Sequence, residues 1–267
     1  RQMCIRDSIW NSPWVGFKHF IKFFHSYQFE RVLGNTLILS FYSLAASFPL
    51  SILMALAINL VRRTGFKKFV QTVSYMPYFI SVVVLVGILN QVLSPVVGIY
   101  GGVYRLFCGS GYPPDILANA GTFRHLYVWS GIWQSLGWNT IIYLAALSSV
   151  DLELHEAAQL DGANRLKRVV YIDLPILLPT AAIMLILSVG SLMSVGFDKA
   201  YLMQNNANLS ASEIISTYIY KTGMNNGTAQ FSYATAIGLF NSAVNCCMLL
   251  VVNKLADKVG DGGYGLF

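Results

Sequence analysis

The chain has 267 residues, of which 55% are hydrophobic and only 11% charged, with a formal net charge of +6. A soluble domain usually carries about a quarter charged residues, so this balance excludes an ordinary water-soluble enzyme or binding module and places the chain in a membrane. Five stretches lack any Asp, Glu, Lys or Arg: 36–60, 70–93, 126–150, 180–197 and 231–252. Each meets or approaches the roughly 20 residues that cross a hydrocarbon core, and each is expected to be helical, because backbone groups facing lipid need partners within their own segment.

In chain order, residues 1–8 lack an initiator Met and resemble nothing that follows, which reads as a non-native start. Residues 9–35 are expected to be extracellular, 36–253 to form the membrane domain, and 254–267 a cytoplasmic tail. The first connection carries Arg62, Arg63, Lys67 and Lys68, and so many cations in a short loop fix it on the cytoplasmic side. Counting onward puts 94–125 outside, 151–179 inside with Arg165, Lys167 and Arg168, 198–230 outside, and Lys254 and Lys258 inside. The opening segment disagrees, since it lies outside yet carries Arg1, Arg6, Lys18, Lys22 and Arg31. It shows no signal-peptide pattern either, and a missing preceding span accounts for both facts. The positive charge is thus an orientation signal and calls for no nucleic acid.

The polar groups inside the charge-free stretches are neutral: Asn59, Asn90, Gln91, Gln134, Asn139, Tyr143, Ser191, Ser194, Asn241 and Asn245. An ion-coupled carrier generally keeps ionisable groups within its spans. Amides and hydroxyls can instead hydrogen-bond a neutral polyol without burying a charge; singly, each can equally bridge two helices. Of the three tryptophans in the third stretch, Trp129 is placed as an interface anchor. Trp138 lies deeper, beside Asn139 and one turn from Tyr143, and these three with Ser191 and Asn241 are the candidate pathway residues. Small residues four apart, as at Ser47, Ser51 and Ala55, Gly190 and Ser194, or Gly238 and Ser242, suit close helix packing. Cys4, Cys108, Cys246 and Cys247 have no metal or redox spacing.

Between the third and fourth stretches, residues 151–170 open with Asp151, Glu153 and Glu156 and close with Arg165, Lys167 and Arg168, an order that suits a helix macrodipole. Gly162 interrupts the pattern at a cost of roughly 1 kcal/mol relative to Ala, predicting two short helices bent there. Pro175 and Pro179 are expected to end the segment, with a span directly after. Periodicity alone favours an ordinary amphipathic helix on the membrane surface. His155-Glu156 has no second His at the metalloprotease spacing, where Gln159 stands, and no Gly-rich phosphate loop occurs. Any ATP hydrolysis must come from another subunit.

Glu156-Ala157-Ala158, Asp161-Gly162-Ala163, Ile172, Leu174 and Pro175 together resemble the EAA loop of permeases from binding-protein-dependent ABC importers. Gly137-Trp138-Asn139, the run from Ser194 to Lys199, the run from Phe231 to Phe240 and Ser12-Pro13-Trp14-Val15-Gly16 look like the oligosaccharide and polysaccharide branch. The resemblance implies an all-α bundle of the type I ABC importer permease kind, with five spans here and the first family span missing. It also implies that Glu156, Ala157, Ala158, Asp161 and Gly162 form a coupling helix. The implied partners are a dimer of ATP-binding subunits, a second and different permease, an extracellular solute-binding protein, membrane lipid and a neutral oligosaccharide. No cofactor, metal or enzymatic activity is expected. The alternatives are an ion-coupled sugar carrier or, less favoured, a membrane-embedded enzyme using Asp198 and Lys199 or His155 and Glu156.

Overall fold

The computed structural model describes residues 14–109, 111–225 and 230–259, and all regular structure among them is helical. The expected non-native start at 1–8 and most of the expected tail at 254–267 lie outside the described residues.

A short α1 (Lys18–Phe24) leads into α2 (Gln28–Asn59), a 32-residue helix. Its start lies well ahead of the charge-free stretch because the charge of Arg31 is matched by the buried carboxylate of Glu213, which Lys221 also approaches at 3.6 Å.

The second stretch is not one straight span. It divides into α3 (Thr64–Tyr75), a 3₁₀ turn (Met76–Phe79) and α4 (Val82–Val92), with a bend of 95°. Pro77 lies at the start of the 3₁₀ turn, where its missing N–H is tolerated, and the bend falls three residues later, where Ile80 turns extended with ψ 128°. Gln134 donates from Nε2 to the carbonyl of Ile80 at 2.7 Å and holds that corner.

After α5 (Ile99–Cys108), α6 (Ala120–Ser148) covers the third stretch with 29 residues. Next come α7 (Leu152–Leu160), α8 (Arg165–Arg168), a π-helical turn (Val169–Asp173) and α9 (Leu174–Gly190). Here the expectation that Pro175 and Pro179 end the polar segment is corrected: helix runs from Arg165 to Gly190 through both prolines. Pro175 occupies the first turn of α9, where a missing N–H is tolerated, and Pro179 is accommodated inside it. The connection 198–230, expected as an outer loop, holds α10 (Phe197–Met203), α11 (Leu209–Ser212) and α12 (Ile215–Tyr220) before α13 (Phe231–Val259). Among the described residues three helices are long and apolar enough to cross a membrane, or four when the bent α3–α4 pair is counted as one span. The length of α6 suffices for a fifth, although its Trp, Gln, Asn and Gly dilute its hydropathy.

By internal contacts the chain divides into two units, with boundaries inside α2, α6 and α13. The first comprises 1–41, 82–127 and 191–247. Its aromatic core gathers Phe23, Phe29 and Phe240, with edge-on ring pairs at 5.0 and 5.7 Å. The buried amide of Asn35 donates to the carbonyls of Ser210 and Glu213 at 2.8 and 3.1 Å and accepts from Arg124 at 3.1 Å. Asn208, fully buried, donates to the carbonyls of Leu117 and Met203 and accepts from Ser212 and the Asn205 N–H. Those bonds hold α10 and α11 in the 198–230 connection, which composition alone leaves as loop.

Lys199 is 7% exposed in this unit and donates from Nζ to the Tyr127 carbonyl at 2.7 Å. Burial pushes its ammonium down to about 8 from an ordinary 10.5. Between those values the unfolded chain holds a proton that the folded one does not, so stability rises with pH across that window and the full penalty stands below it. The parent in detergent is therefore expected to gain unfolding temperature between pH 8 and 10, and Lys199→Met to flatten that rise. An unchanged slope would contradict this account.

The second unit comprises 42–81, 128–190 and 248–267. Its core packs Ala55 and Leu56 with Tyr143, Leu147, Leu177 and Ala181. Small residues permit the approach: Ser51 and Ala55 are buried, and Gly190 lies directly against Leu249.

Candidate coupling segment and pathway residues

The segment between α6 and α9 folds as its capping residues dictate. Asp151 accepts from the Glu153 N–H at 3.0 Å and so starts α7. The helix stops at a left-handed cap: Gly162 has φ +77°, and the N–H of Ala163 returns to the Ala158 carbonyl at 2.9 Å. Asn164 then caps α8 by accepting from the Lys167 N–H at 2.8 Å. The break at Gly162 is thus present, but only α7 before it is a short helix: the helix after it runs on from Arg165 to Gly190.

Glu156, Ala157, Asp161 and Gly162 are exposed, and Ala158 is half-buried. Leu160 is 91% exposed, with Leu166 and Tyr171 also largely bare. So much apolar surface around a short helix marks an interaction surface. The opposite face of α7 is different. His155 and Gln159 there line a cavity of about 370 Å³ together with Arg62, Arg165, Arg168 and Asp173.

In the same unit, Trp138 stacks on Tyr78 with ring centroids 4.4 Å apart and planes 2° from parallel, and Phe79 meets its edge at 6.2 Å. All three rings keep large exposed faces, and Asn139 beside them is exposed. The 3₁₀ turn that ends α3 before the bend carries Tyr78 and Phe79, while Gly137 lets α6 close on the Ser74 backbone. Sequence reasoning found Trp138 and missed its two partners; the signal was a proline followed by two aromatics inside an apolar stretch. Tyr143 is 3% exposed in the hydrophobic core. Trp129 donates from its indole N–H to the Tyr42 hydroxyl at 2.9 Å.

Ser191 and Asn241 belong to the first unit. Ser191 is exposed, and Asn241 is half-buried with its Oδ1 enclosed and without a hydrogen-bond partner. Nearby, Asn245 accepts from the Met193 N–H at 2.9 Å and donates to the Ser194 hydroxyl at 3.1 Å, the helix-bridging role open to any amide in a span. Among the described residues no group of His, Cys, Asp or Glu is placed to hold a metal ion.

Several apolar helices, one of them broken, and a polar segment presenting a capped helix define a multispan membrane transport protein. The chain belongs to the family described as binding-protein-dependent transport system inner membrane component, whose profile matches residues 47–260. It is 42% identical over 255 residues to the polygalacturonan/rhamnogalacturonan transport system permease protein YteP of Bacillus subtilis, covering 96% of this chain and 78% of that protein. It is 38% identical to LplB of the same organism, covering 95% and 79%. Among solved structures, a chain of a bacterial alginate ABC transporter, determined in complex with an alginate pentasaccharide-bound periplasmic protein, matches with a TM-score of 0.87 and 38% identity over 93% of this chain and 85% of that one. The protein is a multi-pass inner-membrane permease of the type I ABC importer fold.

Proposed function

We propose that this permease forms half of the pathway of an ATP-driven oligosaccharide importer and couples to a separate ATPase dimer through Glu156, Ala157, Ala158, Asp161 and Gly162. The observation that carries the coupling assignment is α7 itself, a capped helix with Glu156, Ala157 and Leu160 exposed and a hinge-like Gly162 after it. A second, different permease would complete the pathway, and an extracellular binding protein would deliver the sugar. ATP binding and hydrolysis in the partner would favour outward and inward access in turn, each nucleotide state stabilising one arrangement.

The Trp138–Tyr78–Phe79 platform supports a carbohydrate cargo, since flat aromatic faces suit the apolar faces of sugar rings. The proposed pathway residues are Trp138, Asn139 and Tyr143 in the second unit and Ser191 and Asn241 in the first. The charge-free stretches favour a neutral oligosaccharide. A second reading, an acidic oligosaccharide, is favoured by the cargo in the names of YteP and of the alginate transporter.

Proteoliposomes holding the whole importer test both. Trp138→Ala is expected to lower sugar uptake about tenfold, the loss of one aromatic contact worth about 1–1.5 kcal/mol. Uptake unaffected by that change would remove Trp138 from the pathway. Competition by uncharged against uronic-acid oligosaccharides decides the cargo's charge. Co-purification of a second permease and an ATPase from native membranes tests the assembly, and a protein that emerges alone would overturn it.

A further inference from the structure

The inner face of α7 is joined to the base of α9 by a contact that the coupling motif does not include. His155 precedes Glu156, and its Nε2 lies 3.2 Å from Oδ1 of Asp173. The His155 side chain is 18% exposed and that of Asp173 4%. Asp173 is the last residue of the π-helical turn Val169–Asp173, immediately before α9. A π turn inserts an extra residue into the helical ladder and re-aims the side chains around it, a distortion frequent at functional positions. Here the re-aimed side chain is a carboxylate, and it points under α7.

The covalent route between these two residues is a poor lever. It runs through Gly162, whose φ of +77° is a left-handed corner with open space around it, and then through an exposed turn to Asn164. A push on the outer face of α7 can be absorbed by torsions at that corner. The His155–Asp173 contact bypasses it. The two side chains meet at ion-pair distance without an aligned hydrogen bond, Oδ1 having no donor in line with it, and a carboxylate this deeply buried is costly to leave without a positive partner. Arg168, one turn before Asp173 and lining the same cavity, adds a second positive field on the carboxylate.

We propose that His155 and Asp173 are positioning residues that fix the coupling helix to the span, so that movement of α7 is passed to α9 across Gly162 and not lost in it. This rests on the coupling assignment above.

The test measures sugar transported per ATP hydrolysed by the whole importer in proteoliposomes. His155→Leu and Asp173→Asn are each expected to leave ATPase binding intact while the ratio falls at least fivefold. The exchanged pair, His155→Asp with Asp173→His, is expected to recover it to within twofold of the parent. Unchanged ratios in both single variants overturn the proposal, and so does an exchange no better than the singles. If the single variants fail to assemble, recovery of assembly and ratio by the exchanged pair still supports the contact, and its failure refutes it. Glu156→Lys in parallel separates the two ideas: if that variant keeps ATPase binding and full uptake, the coupling assignment has failed as well.

Discussion

Replacing Glu156 with Lys, or Gly162 with Val, is expected to abolish uptake while leaving membrane insertion and the fold of the spans unchanged. Glu156 is exposed on α7 and touches nothing that holds the chain together, so its reversal acts only on a partner. Losing a well-packed, oppositely charged contact at the centre of an interface typically costs 2 kcal/mol or more, which is at least about thirtyfold in affinity for the ATPase. Gly162 acts differently. A Cβ there meets no atom within 4 Å, so the damage is conformational: a β-branched residue at φ +77° costs roughly 1–2 kcal/mol. The left-handed cap is then lost, and α7 changes direction. Pull-down of the ATPase with each variant, alongside uptake in vesicles, gives the answer. Retained ATPase and normal uptake in both would falsify the coupling assignment.

Why the segment from Asp151 to Arg168 was legible in the sequence, and much of the proposed pathway was not, follows from where each signal is stored. The segment depends on local chemistry: an Asp to start a helix, a Gly to stop it, an Asn to start the next. Each acts within a few residues, so reading the chain in order recovers α7, the bend at Gly162 and α8. Long apolar stretches likewise report their own helices. The break after Phe79 needed more, because a proline inside a span can either sit within a continuous helix, as Pro49 does in α2, or stand near its end, as Pro77 does. Here the deciding partner is Gln134 on a different helix, more than fifty positions along the chain. The same holds for the ordered 198–230 connection, whose short helices depend on Asn208 reaching Leu117, and for the early start of α2, which depends on Glu213. Tertiary hydrogen bonds that rescue polar groups leave no periodic trace. His155–Asp173 is of this kind too: neither residue stands out until a π turn brings them together.

The smallest substitution with a large effect is expected at Gly137. An alanine there would place its Cβ against the backbone of Ser74, with the carbonyl carbon only 2.5 Å away. Backbone cannot step aside as a flexible side chain can, so α6 and the end of α3 must separate. Overpacking of this sort costs about 1–3 kcal/mol. The separation also falls one residue from Trp138 and four from Tyr78, and it pulls the stacked pair apart. Gly137→Ala is therefore expected to lower the unfolding temperature in detergent by several degrees and to cut sugar uptake by more than tenfold, although only a methyl group has been added. Gly34→Ala is the matched control, because a Cβ at that position in α2 meets nothing and an alanine inside a helix is worth about 0.5–1 kcal/mol over glycine. If the two variants behave alike, the contact between Gly137 and Ser74 does not set the spacing of these helices, and the aromatic platform must be positioned by the 3₁₀ turn Met76–Phe79 alone.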